Sequence, residues 1–209
     1  MLELNNPNSR HLIIFTRYPE VGKTKTRLIP LLGAEGAAQL QQKLTEQTLS
    51  LGRSLLAQGI TLRVYFTGGN SFLMQQWLGE DLDYWPQSGE DLGQRMGQAF
   101  VESFAQGAKQ VVLIGTDCPG LTPSLMNQAF KQLTPREIVL GPAEDGGYYL
   151  IGLSHFLPAL FQGIDWGSDR VLRQTQAIIQ HQHYTVDYLP QLFDLDRPAD
   201  WRKWLSLNQ

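Results

Sequence analysis

The chain has 209 residues and a formal net charge of −3, so a broad basic surface for nucleic acid is not expected, and positive charge matters only where it clusters. With 42% hydrophobic and 18% charged residues, the composition is that of a globular protein, and no apolar run is long enough to span a membrane. The single cysteine, Cys118, excludes an internal disulfide and fits a reducing cytoplasm.

Predicted strands and helices alternate along almost the whole chain, after an end at residues 1–9 that is expected to be flexible. In chain order, strands are predicted in RHLIIFT, ITLRVYFTG, LDYWPQ, KQVVLIGTD, REIVLGPA, GYYLIGL and YTVDYLP. Helices are predicted in GAEGAAQLQQKLTEQTLSLGRSLLAQG, which closes at Gly59, and in NSFLMQQWLG, EDLGQRMGQAFVESFAQG, TPSLMNQAFKQL, SDRVLRQTQAIIQHQ and PADWRKWLS. The alternation predicts one α/β domain over residues 10–209, with three α/β/α layers, a mostly parallel sheet and a small antiparallel addition around GYYLIGL.

The loop after the first strand, FTRYPEVGKTKTRL, is the first candidate site, because ligands bind at the carboxyl ends of strands in open α/β sheets. Lys23, Lys25 and Arg27 alternate, so an extended backbone would put all three cations on one side, where they suit a di- or triphosphate. The alternative is a solvated basic loop. VGKT also resembles half of a Walker A motif, but Arg17 stands where that motif needs a glycine. The loop residues assigned to the nucleotide are Arg17, Gly22, Lys23, Thr24 and Thr26, with Lys25 and Arg27 closest to the chemistry.

The second candidate is VVLIGTDCPGLTP, in which an apolar strand ends at Asp117. A carboxylate at this position is a natural Mg²⁺ ligand, although an aspartate that caps the following turn is an equal alternative. Cys118 is not expected to be a nucleophile, because no histidine lies near it in sequence and a lone cysteine usually behaves as a small buried apolar residue.

The third candidate is GPAEDGGYYLIGL. Gly146 and Gly147 permit a close backbone approach, Asp145 offers a carboxylate, and Tyr148 offers a stacking face and a hydroxyl. Asp-Gly is also a strong hairpin signal, and a hairpin turn can carry a substrate-binding carboxylate. We therefore expect these four residues to line an acceptor or sugar pocket.

The fourth candidate is FDLDRPADW, in which Asp194 and Asp196 alternate around Leu195 and point the same way if the chain is extended. Either carboxylate could be a second metal ligand opposite Asp117. The alternative is that Asp196 is the N-cap of the last helix. Together, a basic loop, strand-end carboxylates and a glycine-rich turn are what a Mg²⁺-dependent nucleotide transferase requires.

The segments FTRYPEVGKTKTRLIPLLG, DLGQRM, IGTDCPGLTP, GPAEDGGYYLIGL and FDLDRPADW resemble, in order and wording, those of an uncharacterised bacterial transferase family. That family is similar to the nucleotide-diphospho-sugar transferases of the glycosyltransferase-A fold. Its members are labelled glycosyltransferases and have been linked to arsenosugar synthesis. The resemblance covers about residues 10–205 and implies the same fold and a nucleotide-using transferase activity.

The resemblance also implies roles for individual residues. Asp117 takes the metal-binding position of the fold's DxD motif, although TDCP contains only one acid. The KTRL loop resembles that of guanylyltransferases that activate phospholactate. DLDRPAD is similar to DIDTPED of molybdopterin nucleotidyltransferases, which implies a metal-side carboxylate at Asp196. The GxGxR opening of most sugar nucleotidyltransferases is absent from the sequence.

We therefore expect an enzyme that binds a nucleotide or nucleotide sugar, Mg²⁺ or Mn²⁺, and a small acceptor, and that involves neither nucleic acid nor a membrane. A glycosyltransferase is narrowly favoured. A nucleotidyltransferase that releases pyrophosphate is the alternative, and a nucleotide-binding domain without turnover is a third hypothesis. Arg95, in DLGQRM, is a weaker candidate for the same site. The oligomeric state is left open.

Overall fold

The computed structural model describes residues 9–207, so the expected flexible end lies, except for Ser9, outside the described residues. The strands are β1 (Arg10–Arg17), β2 (Ile60–Thr67), β3 (Tyr84–Pro86), β4 (Gln110–Ile114), β5 (Ile138–Pro142), β6 (Tyr148–Leu153) and β7 (Val186–Tyr188). The helices are α1 (Ile29–Arg53), α2 (Ser71–Leu78), α3 (Leu92–Ala105), α4 (Pro123–Gln132), α5 (Val171–Gln182) and α6 (Pro198–Leu207). Among these helices, none combines the length and apolar character needed to cross a membrane.

The strands form one sheet in the order β3-β2-β1-β4-β6-β5-β7, and only β6 runs antiparallel to its neighbours. This confirms the mostly parallel α/β fold with a small antiparallel addition. The chain places β2 and β3 on one side of β1 and then crosses to β4 on the other side, so the direction in which strands are added reverses between β1 and β4. In open α/β sheets such a reversal leaves a crevice at the carboxyl ends of the strands.

Both faces of the sheet are covered by helices. On one face, Met74 of α2 and Met126 of α4 pack with Leu12 and Ile14 of β1. On the other face, Phe100 of α3 is fully buried in the cluster that contains the alternate β1 residues. Because side chains alternate along a strand, a strand covered on both faces must be apolar at nearly every position, and this explains the run LIIF.

Three helices begin at caps that the sequence contains. The side chains of Asn70, Asp91 and Thr122 each accept a hydrogen bond from the backbone N–H three residues later, at the starts of α2, α3 and α4. The long first helix differs from its prediction at both ends. It begins at Ile29, kinks at Gly33 (φ 71°) and ends at Arg53, and a separate 3-10 turn then leads to Gly59.

The last helix, α6, packs against α1, and the segment just before it, residues 193–195, packs in the same cluster. Leu195 is fully buried with Leu28, Leu40 and Leu44, and Trp201 packs on the same cluster. The residues on either side of Leu195 are therefore held beside the end of β1. This packing brings the last candidate segment of the sequence to the crevice.

Candidate active site

The crevice between β1 and β4 is a cavity of about 540 Å³, here called the main cleft. Its walls come from five segments: residues 15–17 and 23–27, residues 115–118 after β4, Tyr148 and Tyr149 of β6, and Asp194 with Asp196. Gln41, Gln87 and Leu92 complete the lining. Three of the four sequence segments that were predicted to carry chemistry therefore meet in one cavity, and the fourth, GPAEDGGYYLIGL, reaches it through its two tyrosines.

The loop after β1 is not extended, so the expectation that its three cations share one side of an extended backbone is wrong. The N–H of Lys23 bonds to the carbonyl of Glu20 (3.1 Å), and Gly22 has a φ of 80° that this turn requires. Lys25 has a left-handed conformation (φ 48°), and a 3-10 turn follows at Thr26–Leu28. The three cations still line the main cleft, but each has a different environment.

Lys25 is the buried cation of this loop, with a side chain only 2% exposed. Its Nζ lies 2.7 Å from Oδ1 of Asp117 and donates to the carbonyl oxygen of Leu195 (2.8 Å). The N–H of Leu195 donates in turn to the carbonyl oxygen of Asp117 (2.7 Å). Lys25 therefore ties the β1 loop, the end of β4 and the 194–196 segment together. An ammonium has three N–H donors, so one is left for a ligand.

The other loop residues divide into ligand-facing and structural groups. Lys23 and Arg27 both have exposed side chains that can face a ligand. Lys23 is 69% exposed in its side chain and pairs with Glu20 (2.7 Å), and Arg27 pairs with Asp196. Thr24 is buried and donates to the carbonyl oxygens of Tyr18 (3.3 Å) and Glu20 (3.1 Å), so it holds the turn. Thr26 and Arg17 line the cleft, whereas Gly22 does not.

Two more carboxylates, those of Asp194 and Asp196, line the main cleft together with Asp117. Burial, together with the negative charges of Asp117, Asp145 and Asp196, raises the pKa of Asp194 from 3.8 to about 7. Asp196 does not cap α6, because its carboxylate pairs with Arg27, and it is Asp200 that accepts from the N–H groups of Asp196 (3.1 Å) and Arg197 (2.7 Å). The pattern DLD thus delivers both carboxylates to one cavity, as predicted.

The donor set fits a divalent cation that shares a nucleotide's phosphates. Within residues 9–207, no cluster of three or more His, Cys, Asp or Glu side chains could hold a metal alone. Mg²⁺, however, is commonly held by one or two carboxylates together with substrate phosphates. Asp117 and Asp194 are close enough for their charges to interact. The negative charges of the neighbouring aspartates oppose ionisation of Asp194, and a bound cation would offset that repulsion.

A smaller cavity of about 270 Å³, here called the side pocket, opens from the main cleft past Tyr148 and Tyr149. Of the four residues predicted for an acceptor or sugar pocket, Asp145, Gly147 and Tyr148 line this cavity and Gly146 does not. The acceptor or sugar role itself stays a prediction. The hairpin prediction is also correct, since Oδ1 of Asp145 accepts from the N–H of Gly147 (2.9 Å) between β5 and β6. Gly146 has a φ of 91°, and any Cβ there would overlap the backbone of Asp169. Burial raises the pKa of the Tyr148 hydroxyl, so this group stays protonated.

Two residues that the sequence analysis considered, Arg95 and Cys118, have no role in the proposed site. Arg95 donates from Nε to the carbonyl oxygen of Gly89 (3.0 Å) and lines neither cavity, whereas Leu92 and Met96 of the same helix do line the side pocket. Cys118 lines the main cleft, but burial raises the pKa of its thiol to about 12. A thiol with so high a pKa is a poor nucleophile, in agreement with the sequence interpretation.

The family model described as "Uncharacterized protein conserved in bacteria (DUF2064)" matches residues 48–168, which is more than half of the chain. The chain belongs to the DUF2064 family. The matched region contains Asp117 and the hairpin at Asp145–Gly147, whereas the β1 loop and the Asp194–Asp196 segment lie outside it. Among curated proteins, none matches this DUF2064 protein.

Solved structures extend the similarity to nearly the whole chain. A protein from Desulfovibrio desulfuricans G20, provisionally described as a nucleotide-diphospho-sugar transferase, is 34% identical, with a TM-score of 0.86 over 90% of this chain and 83% of its own. The 4-diphosphocytidyl-2C-methyl-D-erythritol synthase from Anaerococcus prevotii is 9% identical (TM-score 0.63; 97% and 98% covered). Rv0371c from Mycobacterium tuberculosis, in complex with manganese, is 15% identical (TM-score 0.55; 94% and 98% covered).

These similarities confirm the transferase family and the nucleotide-diphospho-sugar transferase fold that the sequence motifs implied. The two more distant relatives share the fold alone. The link to arsenosugar synthesis stays a prediction, as do the individual site roles in this DUF2064 protein.

The sequence did not predict one buried hydrogen-bond network of this DUF2064 protein, which lies beneath the main cleft. Gln41 of α1 is buried beneath the main cleft and donates to the hydroxyls of Thr45 (3.1 Å) and Thr116 (3.2 Å), and the hydroxyls of Thr16 and Thr45 lie 2.8 Å apart. The network joins α1 to the ends of β1 and β4. A glutamine on the apolar face of a helix was the signal that could have identified it.

Proposed function

We propose that this DUF2064 protein is a Mg²⁺-dependent glycosyltransferase that moves a sugar from a nucleoside-diphosphate sugar to a small acceptor. One observation carries the proposal: a cleft lined by the cations of the β1 loop and by the carboxylates of Asp117, Asp194 and Asp196 adjoins a second, smaller pocket. The main cleft suits a nucleoside diphosphate, and the side pocket suits the sugar or the acceptor.

The residues divide the chemistry among them. Arg17, Lys23 and Arg27 would bind the diphosphate, and Lys25 would contribute its one remaining N–H donor. Asp117, whose carboxylate is half-exposed although it pairs with Lys25, would hold the metal together with Asp194. Asp196 would stay paired with Arg27. When bound, Mg²⁺ or Mn²⁺ supplies positive charge beside the departing diphosphate. In the reaction, the acceptor oxygen would bond to the anomeric carbon while the bond from that carbon to the β-phosphate oxygen breaks. The nucleoside diphosphate would leave with the electron pair of that bond, and the proton of the acceptor hydroxyl would pass to water.

The environment of Lys25 favours glycosyl over nucleotidyl transfer. A departing pyrophosphate carries more negative charge than a departing nucleoside diphosphate and needs more cations around it. Because Lys25 is largely committed to Asp117 and Leu195, the loop has fewer free cations than its sequence indicates.

The alternative is a nucleotidyltransferase that moves a nucleotide from an NTP to a phosphorylated small molecule. Support for it comes from the fold shared with the 4-diphosphocytidyl-2C-methyl-D-erythritol synthase and from Arg17, which adds a further cation to the main cleft. Residence in the cytoplasm stays a prediction that rests on the single cysteine.

A two-part assay tests the proposal. A thermal-shift screen of NTPs and nucleotide sugars, each with and without Mg²⁺, first identifies the nucleotide, since a ligand at 100 times its Kd adds about 2.7 kcal/mol of stability. We then expect slow, Mg²⁺-dependent hydrolysis of at least one nucleotide sugar to the nucleoside diphosphate, with water replacing the acceptor. Pyrophosphate released from an NTP with a phosphorylated acceptor would instead establish the alternative, and binding with no turnover of any kind would indicate a nucleotide-binding domain.

Arg27→Ala is expected to weaken binding of the nucleoside diphosphate by about 10- to 100-fold, because each lost charged hydrogen bond costs about 1.5–3 kcal/mol. Isothermal titration calorimetry measures the change. Arg136→Ala is the matched control, since Arg136 is also a half-exposed arginine paired with an aspartate, Asp187, but lines neither cavity. Unchanged affinity in Arg27→Ala would return the loop to the role of a solvated basic surface.

A further inference from the structure

A cavity of about 570 Å³ lies at the edge of the sheet opposite the main cleft, and it is here called the basal cavity. Its walls are residues 9–10 at the start of β1, residues 109–110 at the start of β4, and residues 130–131 and 133–134 at the end of α4. None of these residues lines the main cleft or the side pocket. The basal cavity is therefore separate from the proposed active site.

The walls of the basal cavity are built on regular elements. The carbonyl oxygen of Ser9 accepts from the N–H groups of Lys109 (2.7 Å) and Gln110 (3.0 Å), so the chain before β1 is fixed to the start of β4. At the end of α4, Phe130 and Leu133 are each 2% exposed and supply an apolar part of the lining. A ligand would therefore meet walls whose positions are set by the packed fold.

The charge of the basal cavity is of one sign. Every charged side chain among its described lining residues is a cation, namely Arg10, Lys109 and Lys131, although the chain as a whole has 20 acidic and 17 basic residues. Lys131 also lies in the last turn of α4, where a cation is favourable, but that position does not account for the other two. Three cations that share a cavity repel one another, and an anion bound among them would offset that repulsion.

The two lysines are available to a ligand. Within residues 9–207, Lys109 and Lys131 form no ion pair, whereas Lys23, Lys25 and Lys203 each pair with a carboxylate. Both ammonium groups can therefore direct their donors at an anion without breaking an existing pair.

The arginine of the basal cavity is held in position. The guanidinium of Arg10 donates to the carbonyl oxygen of Gln58 and lies over the ring of Phe130, 6.0 Å from the ring centroid. A guanidinium has five N–H donors, so most of them remain for a ligand. The hydroxyl of Thr134 accepts from the side-chain amide of Gln110 (3.4 Å), which leaves its own hydrogen to donate.

We propose that the basal cavity is a second anion-binding site, which takes a compact phosphate-class anion with at least two negative charges. The planar fork of an arginine and the point charges of two lysines both suit phosphate oxygens. Such an anion has two sources, a free inorganic polyphosphate or the phosphate end of a nucleotide. In the second case, the apolar surface of Phe130 and Leu133 would contact the nucleoside. The site goes beyond the proposed function and does not depend on it.

The test is calorimetric titration of the full chain with inorganic tripolyphosphate in the absence of Mg²⁺. Because the main cleft also has cations for phosphate, the titration uses Arg27→Ala, in which binding at the main cleft is weakened. We expect Arg27→Ala to bind one equivalent of tripolyphosphate. In Arg27→Ala/Lys109→Gln/Lys131→Gln the affinity should fall at least about tenfold, because charged hydrogen bonds to the anion are lost.

Arg27→Ala/Lys43→Gln/Lys203→Gln is the matched control. It removes the same two positive charges from exposed lysines that line neither the basal cavity nor the other two cavities. Its affinity for tripolyphosphate should stay within about twofold of that of Arg27→Ala, since distant exposed charges are screened by salt. Lys109 and Lys131 are exposed and unpaired, so their replacement should leave the melting temperature unchanged and the loss of binding cannot come from unfolding. No binding by Arg27→Ala, or an equal loss in the control, would overturn the proposal.

The source of the anion is decided by repeating the titrations with ATP in the absence of Mg²⁺. Binding that depends on Lys109 and Lys131 and is at least as tight as that of tripolyphosphate identifies a nucleotide site. Weaker binding of ATP identifies a site for free polyphosphate, and both outcomes support the proposal. If Arg27→Ala and the unaltered protein bind tripolyphosphate with the same affinity and stoichiometry, the proposed function loses its phosphate site while the basal cavity keeps its ligand.

Discussion

Replacing Lys25 with methionine is expected to lower the free energy of unfolding by about 3 kcal/mol, because one partner of a buried ion pair is removed. The ammonium is 2% exposed and bonds both to Asp117 and to the carbonyl of Leu195, so the variant leaves both acceptors without their donor. Asp117 is 45% exposed and can be solvated in part, which keeps the loss below that of a fully buried pair. For a chain of this length the melting temperature should fall by about 6–12 °C.

Lys23→Met is the matched control for this prediction. It makes the same chemical change two residues earlier, at a side chain that is 69% exposed and pairs only with Glu20. Exposed ion pairs contribute about 0–1 kcal/mol, so its unfolding curve should nearly overlay that of the unaltered protein. Chemical denaturation of the two variants measures the difference. If both variants unfold at the same denaturant concentration, Lys25 does not hold the three segments together.

Much of the fold could be predicted because its signals are local. The run LIIF predicted a strand buried on both faces, and Asn70, Asp91 and Thr122 marked the starts of three helices. The Asp-Gly turn between β5 and β6 predicted the strand that runs against the others. In each case a residue and its neighbours within a few positions carry the structural information.

The β1 loop could not be predicted because its conformation depends on distant partners. Lys25 bonds to a carbonyl 170 residues away, and no local pattern indicates that contact. The alternation of Lys23, Lys25 and Arg27 would put all three on one side of an extended segment, yet Lys25 has a positive φ, which is uncommon for a lysine, and its side chain is bonded to Asp117 and Leu195. The burial of Leu195 is similarly long-range, and it determines where the neighbouring carboxylates lie.

Asp194→Asn is expected to abolish the effect of Mg²⁺ on nucleotide binding and to lower nucleotide-sugar turnover by about 10²- to 10³-fold, the usual cost of losing a preorganised charge in an active site. At the same time the metal-free variant should be more stable than the unaltered protein. Burial and three neighbouring carboxylates oppose the charge on Asp194, and its raised pKa is the consequence. An amide of the same shape removes that repulsion, which is worth about 2–4 kcal/mol near pH 8.

Because Asp194→Asn should raise stability while it removes the Mg²⁺ response, it tests metal binding more sharply than Asp117→Asn does. Asp117→Asn would leave the buried ammonium of Lys25 without its anion, so a loss of metal response there could follow from instability alone. A variant that melts higher yet no longer responds to Mg²⁺ cannot be explained by partial unfolding.

Asp196→Asn is the control, because it breaks only the exposed pair with Arg27 and should retain the Mg²⁺ response. Thermal melting and calorimetry, each with and without Mg²⁺, measure both quantities. A full Mg²⁺ response in Asp194→Asn would exclude this carboxylate as a metal ligand, and its loss in Asp196→Asn would return that role to Asp196.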